Sequence, residues 1–402
     1  MTQIFIKLQW LLVTAYIVSI IVFKMHYTIV SHVLGILMIG NLVLLMLLHS
    51  HQKYRYNSVV LIYFIFSMLA LFSSLWSIDF DNTSFRAVQI LVLSLYMFVI
   101  YNSFVIFKMQ NTFLNAILIG SLINYLLLLG IVPTPFPVIT EWGNRAFGTV
   151  GNPNVLAFVM LLSILVSSMY IEMRDKINTI FYYYQYLNIV LALYIILLTA
   201  SKKGAIFGAI LFFIFLFQTV KDPKLFFKFV VGVILGIFIL SYIINIDNVT
   251  GAFENTLRRF MSFGSQISSE STSGSTGERK YFIELGLVLF QNNPIWGYGL
   301  DTFRYLNDKG IYAHNNYIEL LVDLGMVGLV LFYYIYFSLM RKIFNMYDKK
   351  IRNFLFAFIL ILLFMEMAYV SYGLKLVLIT LLAISSFAEK NDKKLFRRID
   401  GK

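Results

Sequence analysis

The sequence predicts an all-α polytopic membrane protein of about twelve transmembrane helices, with one large outward-facing loop that contains short helices. Three observations carry that prediction. Of 402 residues, 59% are hydrophobic and only 13% are charged, against roughly 45–50% and about 25% in soluble domains. The apolar residues come in repeated uninterrupted runs of roughly 20, the length a helix needs to cross a bilayer. Basic residues gather on alternate connections between those runs, the pattern that orients membrane helices.

The runs place spans at about 4–23, 28–49, 58–77, 87–107, 113–132, 153–171, 179–199, 204–220, 225–245, 317–340, 353–370 and 373–388. The first run lacks a basic leader and a small-residue cleavage site, so it reads as a retained helix. With the amino terminus inside, twenty of the 32 basic residues and seven of the 20 acidic ones face inward. The outer side balances at twelve of each, and Glu366 lies within a span. The net charge of +12 is therefore positive-inside topology and not a nucleic-acid footprint. The basic tail Lys390–Lys402 would also meet anionic inner-leaflet lipid. The expected organisation is a single membrane domain over 1–402, with a long extracytoplasmic loop inserted at 246–316 between the ninth and tenth spans. Both termini are expected in the cytoplasm. The absence of cysteine excludes disulfides and thiolate metal sites.

Two outward segments are long, about 133–152 and about 246–313. Long structured loops are commonly functional. In the second, Arg258 and Arg259 come first, and Ser262–Gly277 reads as a flexible tether or lid. Ser275-Thr276-Gly277-Glu278 fits a helix capping box. The helix would run to about Gln291, where Asn292-Asn293-Pro294 stops it. Its early turns hold Glu278, Arg279, Lys280 and Glu284; an Arg279 pair with Glu278 or Glu284 is the bland expectation. Leu285, Val288 and Leu289 would face the membrane or pack beneath the loop. Then comes His314, with Asn315 able to cap the helix entering the tenth span. A histidine at a helix start is held neutral by the dipole and can accept a proton, and the exposed amides there attract phosphate.

These residues resemble a family. His314-Asn315, nine residues, then Gly325-Met326-Val327-Gly328 is similar to the His-[Asn/Ser/Gln]-x9-Gly-x-x-Gly signature of bacterial O-antigen ligases and Wzy-type polysaccharide polymerases. Arg279 followed by Asn293-Pro294-Ile295 and Gly297-Tyr298-Gly299 resembles the segment before that histidine. Arg145-Ala146-Phe147-Gly148 with Asn152-Pro153-Asn154 resembles an earlier outer loop. Ser201-Lys202-Lys203-Gly204 stands where the family shows Ser-Arg; Lys keeps the charge and loses the planar two-point grip on phosphate.

The resemblance implies a membrane glycosyltransferase C-type fold, without metal or cofactor, at the outer face of the bacterial cytoplasmic membrane. It implies donors carried on undecaprenyl diphosphate. Flippase and chain-length regulator proteins would be partners alongside membrane lipid, with no nucleic acid. His314 would act on the acceptor hydroxyl and Arg279 beside it as the second catalytic residue. Arg145, Lys202, Lys203 and Asn315 would bind substrate. Diphosphate is already a good leaving group, and fixed cations can stabilise its developing charge.

The other four histidines, His26, His32, His49 and His51, read as structural. Arg304, Asp301, Glu319 and Asp323 are unranked cleft candidates, and Glu366 is expected protonated or lining a lipid-carrier groove. A polymerase is favoured over a ligase. A flippase would show internal repeats and polar midplane residues, and a peptidoglycan-type polymerase would depend on an outer Asp.

Overall fold

A computed structural model of the chain describes residues 2–24, 27–48, 54–133, 137–139, 145–172, 178–219, 227, 230–235 and 275–390. Two thirds of the ninth predicted span, all but residues 227 and 230–235, fall outside them. So do Arg258, Arg259, the Ser262–Gly277 tether up to residue 274, and the tail after Lys390.

The described helices are α1 (Thr2–Val22), α2 (Thr28–Leu48), α3 (Ser58–Phe72), α4 (Phe80–Ile106), α5 (Gln110–Leu128), α6 (Pro153–Glu172), α7 (Thr179–Leu198), α8 (Lys202–Thr219), α9 (Ser275–Asn292), α10 (Asn316–Phe344), α11 (Lys349–Met365) and α12 (Lys375–Lys390). Among the described residues there is no β-strand, and an isolated bridge joins Ile139 to Ala146. Among the described residues eight helices are long and apolar enough to cross a membrane: α1, α2, α3 with its 3-10 extension to Trp76, α4, α5, α6, α7 and α10. The chain is a multi-pass membrane protein. At 17 and 16 residues, α11 and α12 fall outside that group of eight.

Local chemistry explains the boundaries. Asn57, Asp79, Asn178 and Asp348 cap α3, α4, α7 and α11 with their side-chain oxygens. The Asp79 cap corrects one expectation. Instead of starting near 87, α4 starts at Phe80, because the Asp79 carboxylate accepts the Asn82 N–H at 3.0 Å and nucleates an early polar turn.

The chain divides into two compact units: residues 1–13, 34–113 and 270–402, and residues 14–33 and 114–269. In the first, α3 packs on α4 and α10, α12 packs on α4, and α9 packs on α10. The described part of the predicted long loop thus belongs to the body of this unit. Hydrogen bonds between apolar helices add to it: Gln9 Nε2 donates to Ser103 Oγ at 2.8 Å, and Asn41 Nδ2 to Gln9 Oε1 at 2.8 Å. In the second unit α6 packs against both α7 and α8 and is buried from Leu156 to Ile171. Asn188 Nδ2 of α7 donates to Ser163 Oγ and Ser167 Oγ of α6, at 2.8 and 2.7 Å.

Candidate active site

In the first unit the site is built on two helices and the loop between them. Phe282, Phe303, Ala313, Ile318 and Val322 form a buried cluster, with Leu285 and Leu289 packed against it. This settles the apolar face of α9: Leu285 and Leu289 lie under the loop, while Val288 is exposed. Gly286 allows the close approach, since a Cβ there would meet the Ile318 side chain.

α9 ends at Asn292, and the following loop is stitched into a break in α10. Gly325 has φ 64° and ψ −162° inside that helix. The interruption frees backbone groups that residues 294–299 take up. Met326 N–H donates to Pro294 O at 2.9 Å, Tyr298 N–H to Val322 O at 3.0 Å, and Gly299 N–H to Asp323 O at 2.8 Å. A Cβ on Gly325 would strike the Ile295 carbonyl, and one on Gly297 would strike the carbonyls of Val322 and Asp323. The two glycine motifs are therefore the two sides of one backbone junction.

Asp323 locks the next turn. Its carboxylate, fully buried, accepts the N–H groups of Asp301, Thr302 and Phe303 at 2.7, 3.1 and 3.0 Å. Asp301, held at φ 62°, pairs with Arg86 at 3.1 Å and with Arg304 at 2.5 Å. Asp301 and Asp323 thus support the loop. Asn307 Nδ2 then donates to Phe303 O and Ile311 O and returns the chain to α10.

His314 lies where the chain re-enters the helix, with φ 54°. Asn315 caps α10 as expected, its Oδ1 accepting Tyr317 N–H at 3.0 Å and Ile318 N–H at 3.4 Å. The His314 ring centroid is 4.2 Å from that of Tyr312 and 6.5 Å from that of Phe282. Burial among these rings, and then the Arg279 charge, lower its pKa from the ordinary value near 6.5, and Glu278 opposes them. The half-buried imidazole is thereby biased toward its neutral form.

Arg279 does not take the bland pairing. Glu278 goes to Lys309 at 2.8 Å, and Glu284 goes to Lys280 at 3.9 Å. Among the described residues no carboxylate pairs with Arg279, which is half-buried and close enough to His314 to act on its proton affinity. Glu366 is fully buried. Its carboxylate accepts from Tyr333 at 2.7 Å, Ser371 at 2.6 Å and Tyr336, while its backbone carbonyl accepts Asn316 N–H at 2.9 Å. It bolts the start of α10 to the α11–α12 turn.

The second unit brings together two other predicted segments. Ala146 N–H donates to Leu198 O and Arg145 Nε to Thr199 O, each at 2.9 Å. Asn152 Oδ1 accepts Asn154 N–H at 2.9 Å and caps α6 above Pro153. Ser201 Oγ donates to Asn154 Oδ1 at 3.0 Å and accepts Gly204 N–H at 3.2 Å, so Ser201 opens α8. Arg145, Lys202 and Lys203 therefore gather around the end of α7 and the start of α8. Two lysines in the first turn oppose the helix dipole, an arrangement that suits an anion more than it suits the helix.

Residues 187–333 match the Wzy_C family model, described as O-Antigen ligase. This part of the chain is similar to the O-antigen ligase family. The matched segment contains Lys202, Lys203, Arg279, His314 and Asn315, and Arg145 precedes it. A comparison with curated proteins gives no match. Sequence reasoning missed Tyr312 and Phe282, because ring contacts across a loop leave no local pattern. It also left Asp301, Glu319 and Asp323 unranked, although the buried acidic positions 319 and 323 stand one helical turn apart on an apolar helix, a signal in itself.

Proposed function

We propose that this chain polymerises undecaprenyl-diphosphate-linked oligosaccharide repeat units at the outer face of the bacterial cytoplasmic membrane. Capsular, O-antigen or exopolysaccharide is the product class. The observation that carries the reading is His314 in its left-handed turn against the Tyr312 and Phe282 rings, near enough to Arg279 to feel its charge, with the carboxylates next to Arg279 engaged elsewhere. His314 deprotonates or orients the acceptor hydroxyl as it attacks the anomeric carbon. The sugar–phosphate bond breaks, and the diphosphate leaves on its lipid with its charge held by Arg279. The binding of diphosphate by Arg145, Lys202 and Lys203, of substrate by Asn315, and a membrane glycosyltransferase C-type fold rest on the family resemblance; a count of about twelve spans rests on the apolar runs. Flippase and chain-length regulator partners rest on the resemblance too.

Ligase-type transfer to a different lipid or surface acceptor uses the same chemistry. Purified protein supplied with lipid-linked repeat units alone separates the two. Polymer formation supports the polymerase; no product until a second acceptor is added supports the ligase. Normal polymer from protein lacking both His314 and Arg279 would overturn the transferase reading altogether.

A further inference from the structure

The left-handed backbone at His314 must be held by something. A non-glycine residue at positive φ is strained by roughly 1–3 kcal/mol and persists where its surroundings over-determine it. Three groups bear on this turn. Asn315 caps the helix after it, and Asn316 is fixed from the far side by the Glu366 carbonyl. The third, Glu319, reaches back across the turn. Its Oε2 accepts the N–H of Ala313, the residue before His314, at 2.6 Å, while its own N–H donates to Asn315 O at 3.0 Å. One side chain thus closes a ring around residues 313–319. Glu319 is fully buried, and its Oε1 has no hydrogen-bond partner among the described residues. A carboxylate kept in such a place is hard to explain as packing.

We propose that Glu319 is a positioning residue that acts through the Ala313 N–H to hold His314 in its left-handed turn beside Arg279. The proposal rests on the reading of His314 as the residue that handles the acceptor. Asp323, one turn further along α10, holds residues 301–303 in the same way. The two acidic residues of this apolar helix divide the loop between them, with Asp323 fixing its scaffold and Glu319 the turn that carries the histidine.

The role requires a hydrogen-bond acceptor of the right length. Gln supplies one without the charge, whereas Met keeps length and apolar packing and accepts nothing comparable. The test uses full-length purified Glu319→Gln, Glu319→Met and His314→Ala, with lipid-linked oligosaccharide extracted from host membranes lacking this protein. Glu319→Met is expected to lower kcat by about 100-fold, the effect of a misplaced catalytic group. Its KM and its abundance in membranes should stay near those of the parent. Glu319→Gln is expected to stay within about tenfold of the parent, since it keeps the bond. A fully active Glu319→Met variant overturns the proposal, as does a Gln variant as impaired as Met. A Met variant that does not accumulate overturns it too, because Glu319 would then serve the whole fold. Activity in His314→Ala would instead sink the underlying reading of the site, and that arm is read separately.

Discussion

The two ends of α10 solve different problems with the same residue types. Near its carboxyl end, Lys342 Nζ lies 2.8 Å from Glu389 Oε1, 3.2 Å from Asn57 Oδ1 and 3.1 Å from Ser385 Oγ. Tyr101 donates to the other Glu389 oxygen at 2.5 Å. The polar groups of that cluster are paired, and the helix through Lys342 is regular. Around its amino end the backbone is left-handed at Asp301, His314 and Gly325 and the helix is broken; among the described residues one oxygen of Glu319 is unpartnered and no carboxylate pairs with Arg279. Strained backbone and incompletely paired charges at the amino end are what the proposed chemistry would need, while the pairing at the carboxyl end ties helices together.

Breaking the junction under the site should have the largest effect. Gly325→Ala puts a Cβ on a residue at positive φ and against the Ile295 carbonyl. It should destabilise the protein by about 3 kcal/mol or more. The check is membrane abundance together with the thermal unfolding midpoint in detergent. Asp323→Ala should follow closely, since it strands three buried N–H groups.

At the site itself, Arg279→Ala should lower kcat by about 100- to 1000-fold at normal abundance. Arg279→Lys should fall between, since it keeps the charge without the planar fork. The same variant sharpens the electrostatic side of the comparison. His314 is the functional base only when neutral, and the Arg279 charge helps keep its pKa below the ordinary value. Removing that charge should raise the pKa of His314. The acid limb of the residual rate should therefore move to higher pH, read from kcat against pH. An unmoved limb would mean that His314 does not feel Arg279.

The smallest effect belongs to the paired end. Lys342→Met should lower unfolding stability by about 1 kcal/mol, as expected for one partly buried ion pair, and leave kcat unchanged. A loss of turnover comparable to that of Arg279→Ala would erase the distinction between the two ends.

How much of this was legible depended on the range of the interactions. The apolar runs, the Asn315 cap and the stop of α9 at Asn292 are local signals; the structure places the cap and the stop within a residue of expectation, while ends of α4, α5, α10 and α11 differ from the predicted spans by three to seven residues. His314 and Arg279 were legible as motif positions on successive helices. Pairings across distance were not. Glu278 reaches Lys309, Asp323 reaches back to residues 301–303, and Glu366 ties to Asn316. The start of α4 was misplaced because its first turn is polar, and a search for apolar residues passes over a turn that Asp79 nucleates.

The most direct test of the central claim is transfer by purified protein supplied with lipid-linked oligosaccharide, with His314→Ala compared against the parent at matched folded concentration. The expected result is loss of essentially all glycan product, with the lipid-linked donor still bound. Glycan formed by His314→Ala at the parental rate would contradict the account.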